Sequence, residues 1–364
     1  MGNLSGLVLA GRAHPLARRL RPLRGPRRMT PLVSIVIPAF NRIGPLRLTL
    51  RTAARAAAAL PAEIIVVDDG SSPPLRDLLA SELAFPVVWL RQPNAGSMVA
   101  RHTGLLAARG DYVLFLDSDD IIHPAKLVRQ TDAMRAAGAE ISYSDMAGYR
   151  LGAEGEPEFS PGATMAAAPN AVDFFLRVQP APHNPIYRRD YLLRHLVSPL
   201  VPLRREYDPV GDVWIYFNLL LHPARVVKVH APLTAIGLHD EGRYSGHWEN
   251  LGYASLRLME DFLAACPATP ATVAVRAAVG ECAFVSWRKL PRDFAPQFGA
   301  RLLALWRRAP KGPVSRLGER NFVRLVALVG AENAARLLRR WRGHTYASCR
   351  TFDDAGYAAF VAKL

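Results

Sequence analysis

Three predominantly apolar runs, each halted by a polar turn, constrain the fold of this chain more than any other feature. Leu32-Val33-Ser34-Ile35-Val36-Ile37 leads into Pro38-Ala39-Phe40-Asn41, and Glu63-Ile64-Ile65-Val66-Val67 into Asp68-Asp69-Gly70-Ser71-Ser72-Pro73. Tyr112-Val113-Leu114-Phe115-Leu116 ends in Asp117-Ser118-Asp119-Asp120. Strands apolar on both faces must be covered on both faces, which is the situation of a parallel sheet between helices. Helical spacing over 46–60, a short strand Val87-Val88-Trp89-Leu90, and a helix opened by Asn94-Ala95-Gly96-Ser97 supply the alternation of β-α-β units. The fold expected is α/β, a Rossmann-like mostly parallel sheet flanked by helices.

Ligands of such sheets gather at the carboxyl ends of the strands. Asn41, Asp69, Asn94 and the acids of 117–120 all fall there, so one crevice accounts for them better than separate surface turns. Carboxylates crowded at a strand end repel one another unless a cation sits among them. Hard oxygen ligands suit Mg²⁺ or Mn²⁺, and Mg²⁺ takes its remaining ligands from substrate phosphates and water. A lone aspartate in such a place is equally a turn or N-cap residue, the reading preferred for Asp68.

In order and spacing, Val33 to Asn41, Val66-Val67-Asp68-Asp69-Gly70-Ser71, Asn94-Ala95-Gly96 with Ala100-Arg101 and Gly104, and Leu116 to Asp120 with Pro124 resemble the family 2 glycosyltransferases. The resemblance covers about residues 32–130 and implies a GT-A fold that binds a nucleotide-diphosphate sugar, most readily a UDP-sugar. By position it puts Pro38, Phe40 and Asn41 around the base and ribose, Asp69 as acceptor for the base, and Arg101 beside base or diphosphate. Asn94 and Ser118 belong to the same nucleotide-binding set. Asp117 falls on the ribose or sugar side, Asp119 on the metal, and Asp120 in a cap or supporting role.

A transferase of this kind needs a base for the incoming hydroxyl. Asp212 opens an apolar helical run and matches the family's catalytic acid, although Gly211 stands where many members have Glu and Asn218 where many have Arg. The base therefore stays open among Asp212, Asp208 and Glu206, in that order. The late segment Ala235 to Ser245 also resembles the family's, which implies His239 as a metal or phosphate partner and Arg243 as a neutraliser of leaving-group charge. His183 and Asn184 fall where acceptor hydroxyls are bound, or in ordinary loop hydrogen bonds.

The implied activity is an inverting, metal-dependent transfer of the hexosyltransferase type, from a nucleotide-diphosphate sugar to a hydroxyl of a glycan or lipid-linked acceptor, in cell-surface polysaccharide synthesis. Two rivals remain: a sugar nucleotidyltransferase, disfavoured because no glycine-rich, lysine-bearing phosphate loop follows the first strand, and a binding protein that has lost its chemistry. No G-x-G-x-x-G follows the first strand either, which excludes a dinucleotide dehydrogenase of the usual kind.

The formal charge of +15 is uneven, with seven arginines and no acid in residues 1–30. That segment reads as a disordered basic arm, or as sequence upstream of a true start at Met29. As an arm it would touch anionic lipid or nucleic acid, nucleic acid being the unfavoured partner. A catalytic domain is expected over 31–250, its halves 31–130 for the nucleotide and 131–250 for the acceptor. A basic helical extension follows over 251–364. The arginines of that extension read first as a solvated face and second as a peripheral contact with the inner face of a membrane. Cys266, Cys282 and Cys349 are few and widely spaced, which suits a cytoplasmic location.

Overall fold

The computed structural model describes residues 31–152, 155–237 and 246–364; the basic arm, His239 and Arg243 lie outside the described residues. The chain runs β1 (Val33–Ala39), α1 (Ile43–Ala57), β2 (Ala62–Asp68), α2 (Leu75–Leu79), β3 (Val88–Arg91), α3 (Ser97–Ala107), β4 (Tyr112–Phe115) and β5 (Ile121–Ile122). It continues through α4 (Lys126–Ala137), β6 (Ile141–Leu151), β7 (Pro157–Pro161), α5 (Ala171–Asp173), β8 (Ile186–Arg188), α6 (Arg189–Leu196), α7 (Gly211–Leu219) and β9 (Val226–Ala235). Six further helices follow: α8 (Trp248–Ala265), α9 (Val273–Lys289), α10 (Pro296–Arg308), α11 (Arg320–Val329), α12 (Ala331–Arg342) and α13 (Asp354–Val361).

The strands form one sheet in the order β3-β2-β1-β4-β8-β6-β9-β5, with β7 paired to β6. Its first four strands are parallel, as their two-sided hydrophobicity requires. Beyond β4 the sheet is mixed: β8 runs antiparallel to both β4 and β6, whereas β6 and β9 are parallel. These later strands carry more polar residues, and their pairing is not written in an uninterrupted apolar run.

Helix α1 buries Leu46, Thr49, Leu50, Ala53 and Ala56 against one face of the sheet, a 3–4 spacing that gives it a single apolar stripe. Thr49 also donates its hydroxyl to the carbonyl of Asp120 at 2.8 Å, tying the helix to the acidic turn. On the other face α3 approaches so closely that a Cβ on Gly104 would lie 2.2 Å from Val36 Cγ1. The strand order reverses beside β1 and β4, where the crevice of a doubly wound sheet opens.

The C-terminal helices continue the hydrophobic core of the sheet domain. Phe217 of α7 meets Phe262 of α8 edge-on at 5.3 Å, and one apolar cluster runs from Val36 to Phe360. No helix among the described residues is long and apolar enough to cross a membrane.

Candidate active site

The carboxyl ends of β1, β2, β3 and β4 open on one cleft of about 660 Å³. Its lining includes Pro38, Phe40, Asp69, Asn94, Arg101, Asp117, Ser118, Asp119 and Asp212, so nine of the expected site residues share one cavity. Phe40 is 44% exposed there, an apolar ring left open at the mouth of a polar cleft. A stacking partner for a flat ligand is what such a ring provides.

Asn41 departs from expectation. Its backbone sits at φ 52, its amide donates to Ser71 Oγ at 2.9 Å, and its Oδ1 accepts from the Ser72 amide at 3.1 Å. The side chain joins the first turn to the second and does not line the cleft, because asparagine is among the few residues that tolerate a left-handed backbone while bonding locally. Asp68 likewise serves the turn, accepting from the amides of Ser71 and Leu75 and from Arg91.

Asp69 is 3% exposed and takes the amides of Ala95 and Gly96 at 3.0 and 2.9 Å and the side chain of Gln92 at 2.8 Å. It thereby fixes the loop of the third motif against the second. Asp208 does the same from outside, accepting from the amide of Met98 at 3.1 Å at the start of α3. A Cβ on Gly96 would lie 1.8 Å from Asp208 Oδ2, so this glycine, at φ +100, is required both for its turn and for the close approach. Arg205 crosses to Asn94 Oδ1 at 2.9 Å and completes this wall.

Arg101 is buried and forms an ion pair with Asp117. Burial works against its charge, but Asp117, Asp212 and Asp208 outweigh that and raise its pKa. Asp212 is partly buried in the first turn of α7, its Oδ1 taking the amide of Val213 at 2.9 Å. Burial raises its pKa and the charge of Asp117 adds to the rise, against the amide of Val213 and Arg101. Asp208 is pushed up by burial too, but it is committed to α3. Glu206 pairs with Arg204 and does not line the cleft. Of the three candidate bases, Asp212 is the carboxylate that faces the cavity without serving as another helix's cap.

The acidic turn shows a second departure. Asp119 pairs with Arg42, a cleft residue that no sequence pattern indicated, while Asp117, Asp120 and His183 bring their ligand atoms within 4.8 Å of one another. His183 is 2% exposed; its Nδ1 faces Asp120, and no described residue hydrogen-bonds its Nε2. Burial lowers the pKa of this imidazole, but Asp120 and then Asp117 raise it more. Asp120 also accepts from the amide of Gly237 at 2.9 Å, and a Cβ on Gly237 would fall 1.6 Å from the carbonyl oxygen of Asp119. A carboxylate on one imidazole nitrogen with the other nitrogen left over is the arrangement in which histidine binds a metal, and carboxylate with imidazole suits Mn²⁺. His183 is held in place by its neighbour Asn184, which accepts from the amide of Ser144 at 2.9 Å and whose carbonyl takes the buried ammonium of Lys126 at 2.6 Å. Asn184 is thus a structural brace and not a cleft residue.

The parallel strands, the reversal beside β1 and the acidic cleft at their carboxyl ends define a protein of the GT-A class. Two solved structures share the fold. S. aureus TarS 1-349 in complex with UDP-GlcNAc superposes with a TM-score of 0.56 at 17% identity, over 86% of this chain and 93% of that one. The mannosyltransferase PcManGT from Pyrobaculum calidifontis, in complex with GDP-Man and Mn²⁺, gives 0.52 at 13% identity over 92% and 86%.

Residues 34–192 match the family described as Glycosyl transferase family 2. EpsH of Bacillus subtilis (strain 168) is 29% identical over 251 residues, 64% of this chain and 68% of EpsH. The succinoglycan biosynthesis protein ExoO of Rhizobium meliloti (strain 1021) is 34% identical over 118 residues, 32% of this chain and 33% of ExoO. Validoxylamine A glucosyltransferase of Streptomyces hygroscopicus subsp. limoneus is 34% identical over 121 residues, 32% of this chain and 27% of that enzyme. The match thus spans about a third or less of the last two. Over residues 34–192 the chain is thus similar to the family 2 glycosyltransferases.

Proposed function

We propose that this protein is an inverting glycosyltransferase that moves a sugar from a nucleotide diphosphate, a UDP-sugar first among the donors, to a hydroxyl of a growing cell-surface glycan. The observation that carries this reading is the convergence of Asp69, Arg101, Asp117 and Asp212 on one cleft at the carboxyl edge of the sheet. The base lies between Pro38 and the exposed ring of Phe40, with Asp69 accepting its N–H. A carboxylate has about four lone-pair sites, so the bonds to Ala95, Gly96 and Gln92 leave room for one more. Arg42 and Arg205 supply positive charge along the path of the diphosphate.

Asp212 takes the proton of the acceptor hydroxyl as that oxygen attacks the anomeric carbon, on the face opposite the departing diphosphate. Its raised pKa makes it a better base than an ordinary surface carboxylate. Arg101, paired with Asp117, places a cation near Asp212 whose charge favours the ionised carboxylate and opposes the rise in its pKa. A divalent cation, when bound, stabilises the charge that grows on the leaving diphosphate. Asp117, Asp120 and His183 would hold it, their ligand atoms lying within 4.8 Å of one another. The family resemblance implies Asp119 and His239 instead, of which His239 lies outside the described residues.

The reading is tested by incubating the protein with UDP-, GDP- and dTDP-sugars, each with Mn²⁺ or Mg²⁺, while following nucleotide diphosphate release and thermal stability. One donor class is expected to raise the melting temperature and to release its diphosphate when acceptor glycan is added. Stabilisation without release under every acceptor would leave a binding protein, and formation of the nucleoside triphosphate and sugar phosphate when pyrophosphate is added would establish a nucleotidyltransferase.

A further inference from the structure

A second cleft, of about 680 Å³, lies in the helical region between α8, α9, α10 and the end of α12. Its volume is in the range of small-molecule sites. Along α8, Trp248, Gly252, Ser255 and Met259 line it at helical spacing. The two small residues in the middle of that row are what keep the groove open. Phe298 and Leu302 of α10, 2% and 1% exposed, form an apolar floor, and Leu290 and Pro291 close one side.

The mouth has the opposite character. Lys289, Arg342 and His344 stand at it, and no described residue forms an ion pair with Lys289 or Arg342. Some basic residues of this region have acidic partners, Arg301 on Glu260 and Arg307 on Glu332, and others such as Arg308 and Arg320 have none among the described residues. Arg339, beside the mouth, gives its guanidinium to the carbonyls of Leu290 and Pro291 and lies over Trp287. An apolar trough with unmatched cations at its opening complements a molecule with a hydrocarbon chain and an anionic head. The surface around it fits the same surroundings. Trp341, next to Arg342 in the chain, is 83% exposed, and Leu337 one turn earlier is 51% exposed, with Arg336 and Arg340 adjoining. Exposed tryptophan and leucine amid arginines is the composition of a surface that sits at a lipid headgroup layer.

We propose that this cleft takes one chain of an anionic phospholipid from a membrane, with Lys289, Arg342 and His344 on the phosphate, and so seats the enzyme on that surface. The inference is independent of the chemistry assigned to the first cleft.

The test is co-sedimentation of the full chain with vesicles of phosphatidylcholine alone or with a third phosphatidylglycerol, at low salt. Three proteins are compared: the parent, the double variant Lys289→Gln/Arg342→Gln, and Ser255→Trp, which fills the groove without touching charge. The parent is expected to pellet with the mixed vesicles and not with the neutral ones. At about a factor of five per basic residue near an anionic surface, the double variant should partition roughly thirtyfold more weakly. Ser255→Trp should lose at least tenfold while keeping the melting temperature of the parent within a few degrees. Equal pelleting on neutral vesicles would overturn the proposal. So would full retention by Ser255→Trp, since the contact would then be one of charge alone. Should that variant fail to fold, Ser286→Trp fills the same groove from α9 and is read identically.

Discussion

The carboxyl edge of the sheet and the helical region beyond residue 248 handle charge in opposite ways. At the sheet edge Asp68, Asp69, Arg101, Asp120 and His183 are all buried; the acids are held by backbone amides, His183 by Asp120, and Arg101 by the half-buried Asp117. In the helical region the interior is a chain of aromatic contacts around Phe294, its buried acids are Glu249 and Glu281, and the cations lie at its surface, some of them over its rings as Arg339 lies over Trp287. Removing a charge from water is unfavourable unless a partner replaces the solvent, so charge concentrated inside a cleft is the physical trace of a prearranged reaction site. Scattered surface arginine leaves no such trace.

The sharpest way to break this contrast is Asp212→Asn. The amide cannot accept the acceptor's proton, and general-base contributions are typically 10²- to 10⁴-fold, so nucleotide release under turnover should fall by about that factor. Donor binding, read by thermal shift, should stay unchanged. If Asp208→Asn slows turnover more than Asp212→Asn does, the base has been assigned to the wrong wall of the cleft.

His183→Ala comes next. Loss of an imidazole ligand should weaken Mn²⁺ binding, measured by titration calorimetry in the presence of nucleotide, by at least about 10- to 100-fold, the range seen when residues that only support a metal's ligands are removed. Asp119→Asn should change it less than that. The reverse ranking would return the cation to Asp119 and make His183 a buried strut.

Gly104→Ala probes packing instead of chemistry. The added methyl would meet Val36 Cγ1 at 2.2 Å, so α3 must retreat from β1. Overpacking of this kind costs about 1–3 kcal/mol, and the urea midpoint should drop with little change in slope. A variant as stable as the parent would show that α3 is free to slide, and that Arg101 on the same helix is less firmly placed than the ion pair to Asp117 implies.

The pH profile follows from the direction of the Asp212 shift. Transfer requires the carboxylate, and protonation abolishes it, so activity falls as pH drops through the pKa of Asp212. Because burial and Asp117 raise that pKa, the acid limb should lie above the ordinary carboxylate range. Arg101→Gln removes a cation that lowers it and should move the limb further up. A limb that shifts down in Arg101→Gln would contradict the electrostatic picture.

Much of the first region was legible in the sequence because its strands are buried on both faces, and such burial leaves an unbroken apolar run that ends where the ligand edge begins. Asp69 and Asp117 fell into the cleft for that reason, whereas Arg101 on α3 and Asp212 on α7 were expected there only from the family resemblance. Asn41 was misplaced because an asparagine that lines a pocket and one that ties two turns together look alike in one dimension. His183 and Arg42 could not be assigned to the acidic turn from sequence. Each reaches it only through tertiary contacts, His183 from a loop 63 residues away from Asp120 and Arg42 across 77 from Asp119. The mixed half of the sheet was illegible for a related cause, since a strand such as Ile186–Arg188 is three residues long and takes its direction from its neighbours.

The smallest effect is expected at Trp341. With 83% of its surface in solvent it has little burial to lose, so Trp341→Ser should alter stability in solution by no more than about 0.5 kcal/mol, as surface substitutions usually do. A buried tryptophan of the same region, Trp306 at 6% exposure, should instead cost about 3–5 kcal/mol when cut to alanine. The pair separates two uses of one side chain within a single helical layer: Trp306 holds the layer together, whereas Trp341 contributes nothing to the isolated fold. A loss of more than about 1 kcal/mol in Trp341→Ser would mean that the indole is packed in solution, and the face it marks would then be part of the core and not a surface waiting for a membrane.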